Sequence, residues 1–309
     1  MTILNLDIKL FKEDQLNDFK SKGINLIYSD TIENVAEQAD IEMIIGGFSL
    51  SRLKLENFKK LKVIQLLSAG FDYLPADVLA NKDIIILNAK DIYSIPIAEW
   101  VLAQILSVYK KNSFFYENQK TKSWKKNFDL VELNGKNICI FGTGSIGQEI
   151  AKRLKAFGCQ VSGVNSNGRA VTGFDNYYDM KSILVDVSNF DIIIFALPSN
   201  EKTRQYVDKS FLNKLNSSAL VINVGRGDLV VEEDLVQYLI NNLNSLFILD
   251  VFEVEPLDLK SKLWELENLI VSPHNSFASS RNDQRLQDLV TKNIEAFTSK
   301  GTFINVIKV

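Results

Sequence analysis

The sequence is poor in the residues that cross-link small domains or hold metal ions. Its 309 residues include only two cysteines and one histidine. Cys139 and Cys159 form no CxxC pair and no zinc-like spacing, so we expect buried thiols in a reducing compartment. Because His274 is the only histidine, a multi-histidine metal site is excluded. We therefore expect no metal.

Long apolar runs and an excess of one charge are also missing. No apolar run approaches the roughly 18 residues that a transmembrane helix needs, and residues 1–14 lack the pattern of a signal peptide. Lys and Arg number 35 against 38 Asp and Glu, a net charge of −3, without the basic footprint of a nucleic-acid binder. We expect a cytoplasmic protein that binds neither nucleic acid nor membrane.

What the sequence does contain is a regular alternation of short apolar runs with amphipathic ones. This alternation predicts α/β architecture with doubly wound, largely parallel sheets whose faces are covered by helices. Strands are predicted at 3–8, 24–28, 42–46, 63–67, 84–88, 138–141, 160–164, 191–197, 219–224, 246–251 and 269–272. Helices are predicted at 12–20, 32–39, 74–80, 95–116, 146–157, 209–215, 232–241 and 281–300.

The chain length suits about two domains. The long predicted helix at 95–116 and the fresh strand that follows it indicate a boundary near Glu99. The last predicted helix could pack on either domain.

A glycine-rich loop follows the predicted strand at 138–141 and opens a helix. In that context the pattern GxGxxG predicts dinucleotide binding rather than a glycine turn without a ligand. The first glycine would allow the tight turn, the second a close approach to pyrophosphate and the third helix–strand packing. The amides at the helix start would hold the anion. The loop consists of Gly142, Thr143, Gly144, Ser145, Ile146 and Gly147.

The end of the next strand bears on the choice of cofactor. Asn165 stands where Asp or Glu would bind the adenine-ribose hydroxyls, so no carboxylate there would repel a 2′-phosphate. Ser166 could donate a hydrogen bond to that phosphate and Arg169 could pair with it. The sequence favours NADP(H), with NAD(H) as the alternative. Arg169 could equally be a solvated loop residue.

Four chemically capable side chains follow the last three predicted strands: Arg226, Asp250, Glu255 and His274. Because ligands bind at the carboxyl ends of strands in a doubly wound sheet, these residues could converge on one crevice. Taken singly, each has a structural explanation, such as capping a turn or lying in a solvated loop. Together, downstream of a dinucleotide loop, they favour a catalytic role.

These residue types suit the reduction of a 2-keto acid, which needs a hydride on the carbonyl carbon and a proton on its oxygen. An imidazolium can donate that proton near neutral pH. A neighbouring carboxylate would orient the ring and stabilise its charged form. An arginine fork can hold the substrate carboxylate and polarise the keto oxygen.

With these residues in this order, the sequence resembles the D-isomer-specific 2-hydroxyacid dehydrogenase family over nearly its whole length. The matching segments are 142–147, 223–227 (NVGRG), 250–256 (DVFEVEP), 272–275 (SPHN), 67–72 (LSAGFD), 97–99 (IAE) and Leu197-Pro198 with Thr203. The resemblance implies two Rossmann-like domains with an interdomain active-site cleft. Residues 1–98 and 286–309 would form the catalytic domain, and 99–285 the dinucleotide-binding domain, through which the protein would form a homodimer.

The resemblance also implies roles for individual residues. Arg226 would anchor the substrate, Glu255 would pair with the histidine and His274 would act as acid and base. Asp250 would meet the nicotinamide carboxamide. The substrate carboxylate would bind at Ser68, Ala69 and Gly70, on the amides of the last two. Further cofactor contacts would come from Leu197, Pro198, Thr203, Val224, Gly225, Arg226 and His274.

Some positions depart from the family pattern. Phe48 follows the third predicted strand, where phosphate-binding members often carry Arg. This predicts a small or apolar-tailed, unphosphorylated substrate, with glyoxylate, hydroxypyruvate and longer 2-keto acids as candidates. Asn275-Ser276-Phe277 stands where glycine-rich sequence is common. Trp100 and Trp124 could line the pocket, although aromatic residues on helices more often belong to the core.

Other functions of the same motifs are less well matched. Formate oxidation on this fold is disfavoured because that branch has Gln where Glu255 stands. A methyltransferase would leave the combination of Arg226, Glu255 and His274 unexplained. A dinucleotide-sensing interaction protein of the corepressor type keeps those three residues, so it stays open as the alternative to an enzyme.

Overall fold

The computed structural model describes residues 1–35 and 38–307. Contacts between residues divide the chain into two compact units: unit one is Met1–Tyr93 with Ser279–Val309, and unit two is Ser94–Ala278. The boundaries predicted from the sequence, 98/99 and 285/286, lie five and seven residues further along. The difference arises because helices begin at Ser94 and Asn282, and each of these helices stays whole within one unit.

Within the described residues, the strands and helices alternate along the chain. The strands are β1 (Thr2–Leu6), β2 (Asn25–Ser29), β3 (Met43–Gly46), β4 (Val63–Leu66), β5 (Ile85–Leu87), β6 (Asn137–Phe141), β7 (Gln160–Asn165), β8 (Asn176–Asp179), β9 (Ile192–Phe195), β10 (Leu220–Asn223), β11 (Leu246–Leu249) and β12 (Leu269–Val271). The helices are α1 (Glu13–Ser21), α2 (Ala76–Ala80), α3 (Ser94–Tyr109), α4 (Asn112–Lys120), α5 (Ser145–Ala156), α6 (Ile183–Asp186), α7 (Lys209–Leu212), α8 (Glu232–Asn241) and α9 (Asn282–Ser299).

Unit one is built on a parallel sheet of order β2-β1-β3-β4-β5. Both faces of this sheet are covered by apolar clusters, as a parallel sheet requires. On one face, α9 contributes Leu286, Leu289, Val290 and Ile294 to the cluster that includes Ile3. The last helix therefore packs in unit one.

Unit two is built on a larger parallel sheet of order β12-β11-β10-β9-β6-β7-β8. Its central strands β6, β9 and β10 are buried almost throughout, which explains their continuous apolar sequence. Because every pairing is parallel, the loops after β6, β9, β10, β11 and β12 leave the same edge. The predicted fold class, two doubly wound parallel-sheet units, is confirmed.

Several predicted elements were wrong in extent. The helix predicted at 95–116 is broken into α3 and α4, because Lys111 adopts a left-handed conformation with φ of 53°. Residues 33–34 form a turn, and a short 3-10 helix spans Gln38–Asp40; Ala36 and Glu37 lie outside the described residues. The helix predicted at 209–215 ends at Leu212. The polar edge strand β8 was missed, because it carries no apolar run.

Among the described residues, no helix has the length and apolar character needed to cross a membrane.

Candidate active site

The glycine loop lies between β6 and α5, as its motif predicts. Gly142 follows β6 with a positive φ of 106°, and α5 begins at Ser145. The first amides of a helix have no intrahelical acceptor and carry the positive end of the helix dipole. The Ser145 hydroxyl also accepts a hydrogen bond from Ser94 at 3.0 Å, at the first residue of α3.

The space around the loop fits a dinucleotide. A Cβ atom at Gly147 would lie 1.9 Å from the carbonyl oxygen of Gly142, so this glycine permits the close packing of helix on strand. A Cβ at Gly144 would meet nothing within 4 Å, so open space lies in front of the helix start. An anion can reach the amides there, and the residues present therefore fit a bound pyrophosphate.

Asn165, the last residue of β7, is buried and organises the loop that follows it. Its side-chain oxygen accepts hydrogen bonds from the amides of Arg169 (3.1 Å) and Asn167 (3.3 Å). Its side-chain nitrogen donates to the carbonyl of Arg169 at 2.9 Å and to Thr143 at 3.3 Å. Ser166 and Arg169 are exposed. The side chain of Asn165 thus shapes the 165–169 turn, whose exposed residues include Ser166 and Arg169.

The other predicted cofactor residues of unit two gather along the same sheet edge. A Cβ at Gly225 would lie 2.6 Å from the carbonyl oxygen of Leu197, so the loops after β9 and β10 are in close contact. Thr203 is buried and donates to the carbonyl of Pro198 at 2.7 Å, which closes the 198–203 loop. Val224 is buried at the end of β10.

His274 and Glu255 form the central pair. The Nδ1 atom of His274 lies 2.8 Å from Oε2 of Glu255. The other carboxylate oxygen of Glu255 accepts the amide of Phe252 at 3.0 Å, which fixes the orientation of the carboxylate. Both side chains are partly exposed. Since Nδ1 faces the carboxylate, Nε2 is the ring nitrogen left to exchange a proton with a substrate.

Asp250 is fully buried and holds the loop that carries His274. Its carboxylate accepts hydrogen bonds from the hydroxyl of Ser272 (2.6 Å) and the amides of Asn275 (2.8 Å) and Ser276 (3.0 Å). Its backbone carbonyl accepts the amide of His274 at 2.7 Å. Capping a loop was one of the structural explanations open for Asp250, but no spacing rule links position 250 to the loop after β12, so the sequence could not identify the loop.

Arg226 is half-buried in the loop after β10. Asn223 bridges this loop: its side chain donates to the carbonyl of Arg226 at 2.9 Å and accepts the amide of Gly225 at 3.0 Å. A Cβ at Gly227 would lie 1.8 Å from the backbone of Phe252. The glycine is required because the loops after β10 and β11 pass so closely. In sequence order and in space, Arg226 therefore neighbours the loop that ends in Glu255.

The loop at residues 68–70 belongs to unit one and follows β4. The hydroxyl of Ser68 donates to the carbonyl of Gly70 and lies 2.7 Å from the hydroxyl of Tyr73. Asn88 donates to the carbonyl of Ala69 at 2.8 Å. Two of these three bonds are accepted by carbonyl oxygens of the loop, and together they hold its conformation.

The two tryptophans differ in environment. Trp100 is partly buried on α3, whereas Trp124 is 99% exposed after α4. The prediction that these tryptophans belong to the core is therefore wrong for Trp124.

Comparison with known proteins points to one family. The family model for the NAD binding domain of D-isomer specific 2-hydroxyacid dehydrogenases matches residues 102–276, more than half of the chain. A glyoxylate/hydroxypyruvate reductase of Arabidopsis thaliana is 28% identical over 276 residues, covering 88% of this chain and 84% of the relative.

Solved structures of the same family match the whole chain. A D-isomer specific 2-hydroxyacid dehydrogenase family protein of Aeromonas salmonicida has a TM-score of 0.87 and 28% identity, covering 99% of this chain and 98% of the other. An NADPH-dependent glyoxylate/hydroxypyruvate reductase of Sinorhizobium meliloti, solved with NADP and sulfate, has a TM-score of 0.81 and 25% identity, covering 100% and 98%. This chain belongs to the D-isomer specific 2-hydroxyacid dehydrogenase family and is an NAD(P)-dependent oxidoreductase.

Proposed function

We propose that this enzyme reduces small, unphosphorylated 2-keto acids to D-2-hydroxy acids, with NADPH preferred over NADH. The observation that carries the proposal is the pair formed by His274 and Glu255 at 2.8 Å, on the sheet edge that also bears Arg226 and the dinucleotide loop. The relatives named glyoxylate/hydroxypyruvate reductases support the same substrate class.

In this proposal, His274 donates a proton from Nε2 to the keto oxygen of the substrate as reduction proceeds. Glu255 accepts a hydrogen bond from Nδ1, so it stabilises the imidazolium before transfer and keeps the ring oriented. Arg226 binds the substrate carboxylate and polarises the keto group. The family resemblance implies that the amides of Ala69 and Gly70 would also bind the carboxylate. The nicotinamide cofactor, when bound, supplies the hydride to the carbonyl carbon.

The proposed preference for NADPH rests on the turn at 165–169. No carboxylate stands at position 165, and the exposed guanidinium of Arg169 is available to a 2′-phosphate. The relative from Sinorhizobium meliloti, which is NADPH-dependent, supports this assignment. Arg169→Ala should lower kcat/KM for NADPH about tenfold and change that for NADH little, whereas the exposed Lys214→Ala should alter neither. An unchanged ratio in Arg169→Ala would remove this residue from cofactor selection.

We further propose a homodimer formed through unit two. The segment after α4 exposes Trp124 (99%) and Phe128 (85%), with Leu130 beside them. Adjacent exposed apolar side chains of this size mark association sites. A second copy of this chain is the proposed occupant, since the family resemblance implies a dimer through the dinucleotide-binding domain.

The decisive experiment mixes the purified protein with NADPH or NADH and a panel of 2-keto acids, and follows the loss of the reduced nicotinamide. Turnover of glyoxylate or hydroxypyruvate is expected, and His274→Ala should lower kcat about 10²- to 10⁴-fold while nucleotide binding persists. Unchanged turnover in His274→Ala would exclude this residue as the acid. Tight nucleotide binding with no turnover of any 2-keto acid would favour the interaction protein of the corepressor type.

A further inference from the structure

We propose that Asp7, Phe48 and Tyr73 recognise the tail of the substrate and select 2-keto acids whose tail is aromatic and uncharged. The proposal rests on the proposed function and names the substrate class more closely. All three residues belong to unit one, so the argument needs the geometry of that unit alone.

Phe48 exposes an aromatic surface that a substrate tail could contact. It begins the short 3-10 helix Phe48–Arg52 after β3, and 75% of it is exposed. Its ring centre lies 5.8 Å from that of Tyr73, with the planes tilted by 52°. Aromatic rings gain further energy from tilted or edge contacts at such distances. A third ring can therefore add to this pair, and it would bury the apolar surface that Phe48 exposes.

The aromatic pair is tied to the loop that we assign to the substrate carboxylate. The hydroxyl of Tyr73 lies 2.7 Å from that of Ser68, and Ser68 donates to the carbonyl of Gly70 at 2.7 Å. Tyr73 is thus fixed relative to the amides of Ala69 and Gly70 by two consecutive hydrogen bonds. If these amides bind the carboxylate of a substrate, the aromatic pair lies beside the loop that holds this substrate.

Asp7 holds Phe48 in place. The Oδ2 atom of Asp7 accepts the amide of Gly47 at 2.5 Å and the hydroxyl of Ser49 at 3.0 Å, the residues on either side of Phe48. Asp7 itself has a φ of 70°, a left-handed conformation that is uncommon outside glycine. The end of β1 is therefore shaped so that one carboxylate fastens the start of the 3-10 helix.

The same carboxylate sets the charge of the surface. Two cations close to it in the sequence make other contacts: Lys9 lies over the ring of Tyr28 at 5.1 Å, and Arg52 lines a groove with Ile32 and Glu33. An acidic or phosphorylated tail would meet a negative charge beside Phe48, and like charges repel. Such repulsion against the wrong tail is a common source of specificity. The surface is thus suited to a neutral aromatic tail.

The test compares kcat/KM for phenylpyruvate, 2-oxohexanoate, 2-oxoglutarate and glyoxylate. Glyoxylate has no tail and serves as the reference substrate. The wild type should prefer phenylpyruvate to 2-oxohexanoate, and both of them to 2-oxoglutarate. Phe48→Leu keeps an apolar side chain but removes the ring, and it should lower the ratio of phenylpyruvate to 2-oxohexanoate about three- to tenfold. Phe157→Leu, an exposed phenylalanine in unit two, should leave that ratio unchanged.

Asp7→Asn keeps an oxygen that can accept both hydrogen bonds but removes the charge. It should raise the ratio of 2-oxoglutarate to 2-oxohexanoate about threefold or more. Glyoxylate turnover with no aromatic preference, or with an unchanged ratio in Phe48→Leu, would overturn the tail assignment and leave the proposed function standing. An unchanged acidic ratio in Asp7→Asn would overturn the selection by charge. No turnover of any acid would overturn the proposed function and this inference with it.

Discussion

His274 is held in an unusual backbone conformation, with a φ of 50°. A non-glycine residue in this region carries about 1–3 kcal/mol of strain, and it persists only where its surroundings fix it. Here the fixing groups are the carbonyl and carboxylate of Asp250, which bind the amides of His274, Asn275 and Ser276. The conformation of the histidine therefore depends on a buried aspartate in another loop.

This dependence gives a prediction at the scale of one residue. Asp250→Asn replaces one acceptor oxygen by a donor, so a buried amide or hydroxyl loses its partner, at a cost of about 2 kcal/mol in the free energy of unfolding. It should also lower kcat at least tenfold, because the loop that carries His274 relaxes. Ser272→Ala removes only one of the three donors and should cost about 1 kcal/mol. Denaturation and steady-state kinetics measure both effects; a folded Asp250→Asn variant with wild-type kcat would contradict the positioning role.

At the scale of elements, a single carboxylate connects α5 to β7. Asp175 accepts a hydrogen bond from Lys155 of α5 at 2.6 Å and from the amide of Val161 in β7 at 2.9 Å. The pKa of Asp175 lies below its usual 3.8. The hydrogen bond from Lys155 lowers this pKa most, and the hydrogen bond from Val161 is the next largest cause. A carboxylate with a lowered pKa in the folded state stabilises that state above its unfolded pKa, and the stabilisation disappears as the pH falls through the folded pKa.

Asp175→Asn should therefore lower the stability of unit two at neutral pH, and its difference from the wild type should shrink below about pH 4. Denaturant unfolding between pH 3 and pH 7 measures this difference. Lys155→Met, which removes the partner, should reproduce part of the change. Stability curves of wild type and Asp175→Asn that stay parallel down to pH 3 would show that the ionisation of this carboxylate contributes nothing to stability.

The attachment of α9 to the sheet of unit one depends on a buried polar pair. Asn293 and Gln65 are fully buried, and the side-chain amide of Asn293 donates to Oε1 of Gln65 at 2.6 Å. Asn293 also accepts the amide of Ile304 at 2.8 Å. Two distant segments of the chain thus satisfy the same asparagine, and this fixes how the last helix lies against β4.

Asn293→Leu should destabilise unit one by about 2–4 kcal/mol, because Gln65 and Ile304 then lose partners inside the core. Hydrogen exchange of the amides in α9 and β4 should accelerate together. Gln284→Leu, on the exposed face of the same helix, should change stability by less than about 0.5 kcal/mol. Slow exchange in Asn293→Leu, equal to the wild type, would show that apolar packing alone holds the helix.

At the scale of the whole molecule, the proposed homodimer is the testable feature. Replacing both Trp124 and Phe128 by Ser removes most of the apolar surface of the exposed segment. The mass in solution should fall from twice 34.9 kDa to 34.9 kDa, measured by light scattering after size exclusion. Leu243→Ser, at another well-exposed apolar position, is the control. A wild-type mass of one chain, or a double variant that stays dimeric, would contradict the proposed interface.

Much of this fold follows from local pattern alone. Buried parallel strands must be apolar on both faces, so runs such as 138–141 and 219–224 are visible in the sequence. The loop Gly142–Gly147 can likewise be recognised from the sequence, because a tight turn, an approaching anion and a packed helix each require glycine at a set spacing. Where a pattern is polar, as at β8, or where a single residue such as Lys111 takes a left-handed conformation, the predictions failed.

The sequence by itself determined the architecture, the dinucleotide loop and the identity of the chemically capable side chains. These depend on periodicity and on residue types that only certain chemistry requires. The tertiary structure alone decided which groups meet: Asp250 with the loop of His274, Asp7 with both neighbours of Phe48, and Asn293 with Gln65. These contacts join positions far apart in the chain, and hydrogen bonding between distant segments leaves no periodic trace in the sequence.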